Sequence, residues 1–116
     1  MAKTSEIRKF VENLNGKPVL VYGLGKSGTS TAKALKAAGA SVTIGDDSAT
    51  NIEKLKRHKF DILDIETADF SKFAFLLLSP GIPLTHPKPH DVVEKAKAAD
   101  LEIICDIELF TRIYPD

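Results

Sequence analysis

The chain has 116 residues, the length of one ordinary domain able to bury roughly two thirds of the surface its unfolded form exposes. Its 16 basic and 16 acidic side chains cancel, so no global positive field exists to hold nucleic acid by counterion release. A single cysteine, Cys105, excludes an internal disulfide and a cysteine-based metal cluster and suits a reducing, cytoplasmic compartment.

No apolar run approaches the roughly 20 residues that span a bilayer, and the N-terminus lacks an export signal's charged-then-apolar pattern, so membrane insertion is not expected. Pro18 to Tyr22 is a short, branched apolar run that ends in glycine, and Thr29 to Ala38 places alanines and Leu35 at helical spacing before Gly39. The pair reads as strand, tight turn, helix. Ser41 to Ile44 is a second branched run closing on Gly45-Asp46-Asp47, and Asn51 to His58 reads as the next helix. Phe60 to Ile65 is the faintest strand of the set. Phe73 to Leu78 is apolar at every position, as expected of a central parallel strand covered on both faces. Ser79 to Pro89, SPGIPLTHPKP, holds four of the six prolines and reads as a structured loop. His90 to Ala99 is a helix, Leu101 to Cys105 the last strand, and Ile107 to Ile113 a closing helical turn.

Strands alternating with helices across short loops predict an α/β fold, a Rossmann-like three-layer sandwich around a parallel sheet of about five strands. No repeat or linker divides the chain, so residues 1–116 are expected to form a single domain. In such a sheet the ligand sits beyond the carboxyl ends of the strands, where strand order reverses. That rule selects the loops at Gly23 to Gly28, Gly45 to Ser48 and Ser79 to Ile82.

Gly23-Leu24-Gly25-Lys26-Ser27-Gly28 satisfies G-x-G-x-x-G. In that pattern the first glycine permits the turn, the second a close approach of ligand to backbone, and the third close packing of the helix, while helix-start N–H groups face a phosphate. Glycines that merely allow the turn would look the same. A P-loop is excluded, because its first glycine would have to stand where Leu20 does. Lys26 is then either a solvated lysine or a phosphate attractor, and Ser27 either a helix cap or a ligand contact. Asp46 follows Gly28 by 18 residues, close to where a Rossmann domain keeps its ribose-binding acid, although Asp46, Asp47 or Ser48 could equally cap the next helix. His86 and His90 are separated by prolines that spoil a helical metal pair, so no metal site is expected. Cys105 reads as a packed, inert thiol. These residues leave open an NAD(P)-binding domain of an oxidoreductase or sensor, another diphosphate-binding domain, and an interaction module without ligand.

Taken in order and spacing, VLVYGLGKSGTSTAKAL, VTIGDD, LLLSPGIPLTHP and IICDIELF resemble the N-terminal domain of the MurD family of Mur ligases across about residues 17 to 113. SPGIPLTHP and DIELF are the most specific of these. The resemblance implies a domain that binds the UDP moiety of UDP-N-acetylmuramoyl-L-alanine. Leu24, Gly25, Lys26, Ser27 and Gly28 would meet the diphosphate, Asp46 and Asp47 the uracil, and Ser79, Pro80 and Gly81 the sugar-diphosphate side. Asp47 and Cys105 depart from the threonine and glycine found at these places in the family. For the complete enzyme the resemblance implies a cytoplasmic, ADP-forming peptidoglycan-precursor ligase that adds D-glutamate using ATP and Mg2+. On that resemblance these 116 residues are expected to correspond to the first domain only, without the central ATP-binding and C-terminal domains, and the domain alone is expected to be inactive.

Overall fold

The computed structural model describes residues 2–79 and 90–114, with side chains from residue 6 onward. Five strands, β1 (Val19–Tyr22), β2 (Val42–Gly45), β3 (Asp61–Ile62), β4 (Leu76–Leu78) and β5 (Ile103–Ile104), form one parallel sheet in the order β3-β2-β1-β4-β5. Helices α1 (Ala2–Glu12), α2 (Lys26–Ala37), α3 (Ala49–Leu55), α4 (Asp91–Ala98) and α5 (Asp106–Ile113) cover it. The expected α/β sandwich is the observed architecture.

Side-chain alternation along the strands splits the core in two. Val19 and Val21 of β1, Val42 and Ile44 of β2, Leu77 and Ile104 face one layer, where Leu35, Leu55, Leu109 and Ile113 of the helices meet them. Leu20 and Tyr22, Leu76 and Leu78 face the other, against Val92, Val93 and Ala96 of α4. Every residue of β1, β2 and β4 is buried. Such two-sided burial, worth about 1.5–3 kcal/mol for each large aliphatic side chain, explains why these strands read as continuous apolar runs.

α1 was not expected from the sequence. Ile7, Phe10, Val11 and Leu14 stand at the spacing of one helical face, and all four pack against the first core layer. The remaining differences are of extent. Phe70–Lys72 is a single 3-10 turn capped by Asp69, and only Leu76–Leu78 of the apolar run is ladder-paired, although the amide of Ala74 still donates to the Pro18 carbonyl at 2.8 Å. β3 shrinks to two exposed residues at the sheet edge. Cys105 is a correction: the strand stops at Ile104, and the cysteine becomes the exposed N-terminal flank of α5.

Candidate functional site

The boundary between β1 and β4 is where strand order turns, and the loops leaving β1, β2 and β4 gather at its carboxyl side. Backbone hydrogen bonds fasten them together. The amide of Gly23 donates to the Gly45 carbonyl at 3.0 Å, and that of Ser79 to the Tyr22 carbonyl at 3.0 Å. The loop after β1 is short because α2 starts at Lys26, three residues earlier than expected, so Lys26, Ser27 and Gly28 form the first helical turn. Their N–H groups have no partner within the helix.

The three glycines are there for three different reasons. Gly23 has φ +99°, a left-handed conformation in which a side chain is strained. A Cβ at Gly28 would lie 2.1 Å from the Gly23 carbonyl oxygen, so only glycine lets α2 rest on the turn. Gly25 has φ −72°, ordinary for any residue, and a Cβ there would meet nothing within 4 Å. Nothing within the described chain requires glycine at position 25.

A crevice of about 20 Å³ between Gly28, Ser79 and Asp106 has room for a water and nothing larger. On the other side of the loop lies an open groove of about 440 Å³ beside Leu24 and Gly25, rimmed by Lys26, Lys33 and Lys54. Sequence reading missed Lys33 and Lys54; Lys33 is two turns beyond Lys26 on α2, a recurrence that marks one helix face. A larger groove of about 680 Å³ lies elsewhere against α4, but Glu66, Asp69, Asp91 and Glu94 outweigh Lys95 on its rim and give it the wrong net charge for an anionic ligand.

The two aspartates after β2 do different work. Asp46 accepts from the backbone amide of Leu24 through one oxygen and from that of Ser48 at 2.7 Å through the other, tying the first loop to the second. Ser48, in turn, caps α3 by accepting from the Asn51 amide at 3.4 Å. Asp47 Oδ1 accepts from the Tyr22 hydroxyl and lies against His90 Nε2, both at 2.7 Å. His90 Nδ1 accepts the Val92 amide at 3.0 Å, which places the ring proton on Nε2 as donor to Asp47. The Tyr22 hydroxyl above all, helped by His90, holds the Asp47 carboxyl below the usual carboxylate range, against an opposing effect of burial second in size to that of Tyr22. Burial, reinforced by the Asp47 charge, pushes the Tyr22 phenol well above its ordinary value.

Ser27 does not cap α2. Its hydroxyl donates to Asp106 Oδ2 at 2.8 Å, joining the glycine turn to the DIELF segment that opens α5. Of the residues singled out from sequence, the structure gathers Leu24 to Gly28, Asp46, Asp47 and Ser79 around one end of the sheet. Pro80, Gly81 and His86 lie outside the described residues. Among the described residues no three His, Cys, Asp or Glu side chains group as metal ligands, and no helix is long and apolar enough to cross a membrane. The arrangement offers helix-start amides and lysines to an anion, and a carboxylate to a hydrogen-bond donor.

Residues 17–105 match the family model described as Mur ligase MurD-like, N-terminal domain. Relatives named UDP-N-acetylmuramoylalanine--D-glutamate ligase from Caulobacter vibrioides, Nitrobacter hamburgensis and Agrobacterium fabrum are 47%, 49% and 48% identical over 102 residues, 88% of this chain. The chain spans 22% of the length of each. Among solved structures, shikimate dehydrogenase from Aquifex aeolicus is similar with TM-score 0.63 at 14% identity over 96% of this chain and 52% of its own. Shikimate 5-dehydrogenase from Thermus thermophilus, in complex with NADP(H) and shikimate, gives 0.57 at 16% over the same shares. At such identities the likeness is one of fold.

Proposed function

Because the chain belongs to the Mur ligase MurD-like N-terminal domain family, we propose that it is the nucleotide-sugar-binding part of a UDP-N-acetylmuramoylalanine--D-glutamate ligase. In this reading it holds the UDP end of UDP-N-acetylmuramoyl-L-alanine. The observation that supports the proposal is Gly25: among the described residues, backbone and neighbours alike would accept a side chain there, which leaves open space beside the helix start for a ligand. It lies where a helix start and three lysines favour an anion.

The diphosphate then rests over Leu24 to Gly28, with the first-turn amides of α2 as donors and Lys26 nearest in charge. Uracil lies toward Asp46 and Asp47, and Ser79, Pro80 and Gly81 close the sugar side. Asp46 serves mainly by shaping both loops, since each of its oxygens already accepts a backbone amide. Asp47 is the better acceptor for the base, because its side chain is 61% exposed and, among the described residues, only its Oδ1 is engaged.

The parent ligase, on this reading, is a cytoplasmic enzyme that activates the substrate carboxylate with ATP and Mg2+, adds D-glutamate and releases ADP. The residues here do not fit that ATP site. Gly25-Lys26-Ser27 has a strand residue, Leu20, in place of the first P-loop glycine, and its serine is tied to Asp106. No phosphoryl-transfer step belongs to this chain, and alone it is inactive.

Backbone amide NMR tests the reading. UDP-N-acetylmuramoyl-L-alanine is expected to shift Leu24 to Gly28, Asp46, Asp47 and Ser79. Shifts with NAD alone, or spread along the acidic groove at α4, would refute it.

A further inference from the structure

Tyr22, Asp47 and His90 come from β1, the turn after β2 and the start of α4, yet they converge on one atom, Asp47 Oδ1. The rings of Tyr22 and His90 also pack together, with centroids 5.1 Å apart. His90 cannot swing freely, because its other nitrogen holds the Val92 amide. Tyr22 is 3% exposed, so its hydroxyl is equally fixed. Asp47 is thus an exposed carboxylate with one oxygen held from two sides, while no hydrogen bond from a described residue reaches Oδ2.

We propose that Tyr22 and His90 are positioning residues that orient Asp47 so that Oδ2 accepts a hydrogen bond from the ligand's base, and that they thereby set its base preference. The inference rests on the UDP-binding reading above. A fixed carboxylate oxygen discriminates sharply between an N–H donor and a lone pair at the same place, because a wrong base leaves two acceptors facing each other. Uracil presents N3–H, whereas cytosine presents an unprotonated N3. A carboxylate free to rotate would turn away from the mismatch and lose that discrimination.

The test is titration of the 116-residue chain with UDP and with CDP, each followed by amide shifts, for wild type, Tyr22→Phe, His90→Asn and His90→Gln. Asparagine can place an oxygen near Nδ1 and keep the Val92 bond while losing Asp47. Glutamine can place its amide nitrogen near Nε2 and keep Asp47 while losing the helix cap. Wild type is expected to favour UDP by tenfold or more. Tyr22→Phe and His90→Asn reduce that ratio severalfold, chiefly through weaker UDP binding, and His90→Gln restores most of it even if its melting temperature is the lower of the two His90 variants. An unchanged UDP/CDP ratio in Tyr22→Phe and His90→Asn, an equal fall for both nucleotides, or no preference in wild type overturns the proposal while leaving UDP binding intact. Binding of neither nucleotide by wild type would instead remove the underlying reading, and this inference with it.

Discussion

Replacing Gly28 by alanine and Gly25 by serine separates what this turn does for the fold from what it does for a ligand. Alanine at position 28 brings a methyl group to 2.1 Å from the Gly23 carbonyl oxygen and 3.2 Å from its carbon. Both neighbours are backbone, so no side chain can rotate to make room. Overpacking of this kind costs typically ~1–3 kcal/mol, and the offsetting gain from exchanging glycine for alanine in a helix is at most about 1 kcal/mol. With the contact so short, the cost falls at the upper end and the net loss is about 2 kcal/mol. For a domain of this size that lowers the melting temperature by roughly 8 °C. Serine at position 25 enters open space with an acceptable φ, and serine is a favoured N-terminal cap, so stability should change by no more than about 0.5 kcal/mol. Its hydroxymethyl group occupies the ligand's approach, and UDP affinity should fall at least tenfold. Thermal melts by circular dichroism and a UDP titration check both halves. Wild-type melting of Gly28→Ala would refute the packing argument; wild-type UDP affinity in Gly25→Ser would refute the assignment of the open space.

Asp46→Ala strips the acceptor from the Leu24 and Ser48 amides, and urea unfolding should show a loss of about 1–3 kcal/mol without ligand present. An aspartate that served only a ligand would leave that curve unmoved. The Asp47 carboxyl titrates below its usual range, first because of the Tyr22 hydroxyl and then because of His90, so its contribution to stability is complete above the unfolded carboxylate pKa of about 4 and fades as pH falls through the lower folded value. Tyr22→Phe should therefore narrow its stability gap to wild type as the solution is acidified below pH 4. The Tyr22 phenol behaves with the opposite sign: its pKa is raised, so the stability it contributes is complete below about pH 10 and is lost as pH rises beyond that value. Phenolate absorbance from Tyr22 should appear late in an alkaline titration, and a normal tyrosinate midpoint for it would contradict the buried, carboxylate-facing geometry.

The parts of the fold that were legible in the sequence are those whose burial is two-sided. β1, β2 and β4 bury every residue, so their apolar runs announced them. β3 was faint because its two residues are exposed at the sheet edge, where pairing is to one neighbour only. α1 was less legible although Ile7, Phe10, Val11 and Leu14 carry a helical period, because these residues are only partly buried and stand among polar ones, a weaker signal than the continuous apolar strands. In the site, two of the three glycines were readable because the fold forces them, Gly23 through its left-handed backbone and Gly28 through its close contact with the Gly23 carbonyl, whereas nothing within the described chain forces Gly25. The double engagement of Asp46, the Ser27–Asp106 bond and the convergence of Tyr22 and His90 on Asp47 were not readable, since each joins positions far apart in the chain. Sequence spacing carries no information about which of two adjacent aspartates will be consumed by backbone amides and which will remain exposed.

The strand order has a consequence for the moment of synthesis. β1 leaves the ribosome first, but its place is at the centre of the sheet, and its register partner for Leu20 on the far side is Leu76. At roughly 5–20 residues per second, several seconds separate the two. During that interval β1 can pair with β2, but its other edge stays open, and the face bearing Leu20 and Tyr22 waits still longer for Val92 and Val93 of α4. The nascent chain therefore passes through a half-sheet with an unpaired, apolar central edge, the state in which it is most open to capture by a chaperone or by another copy of itself.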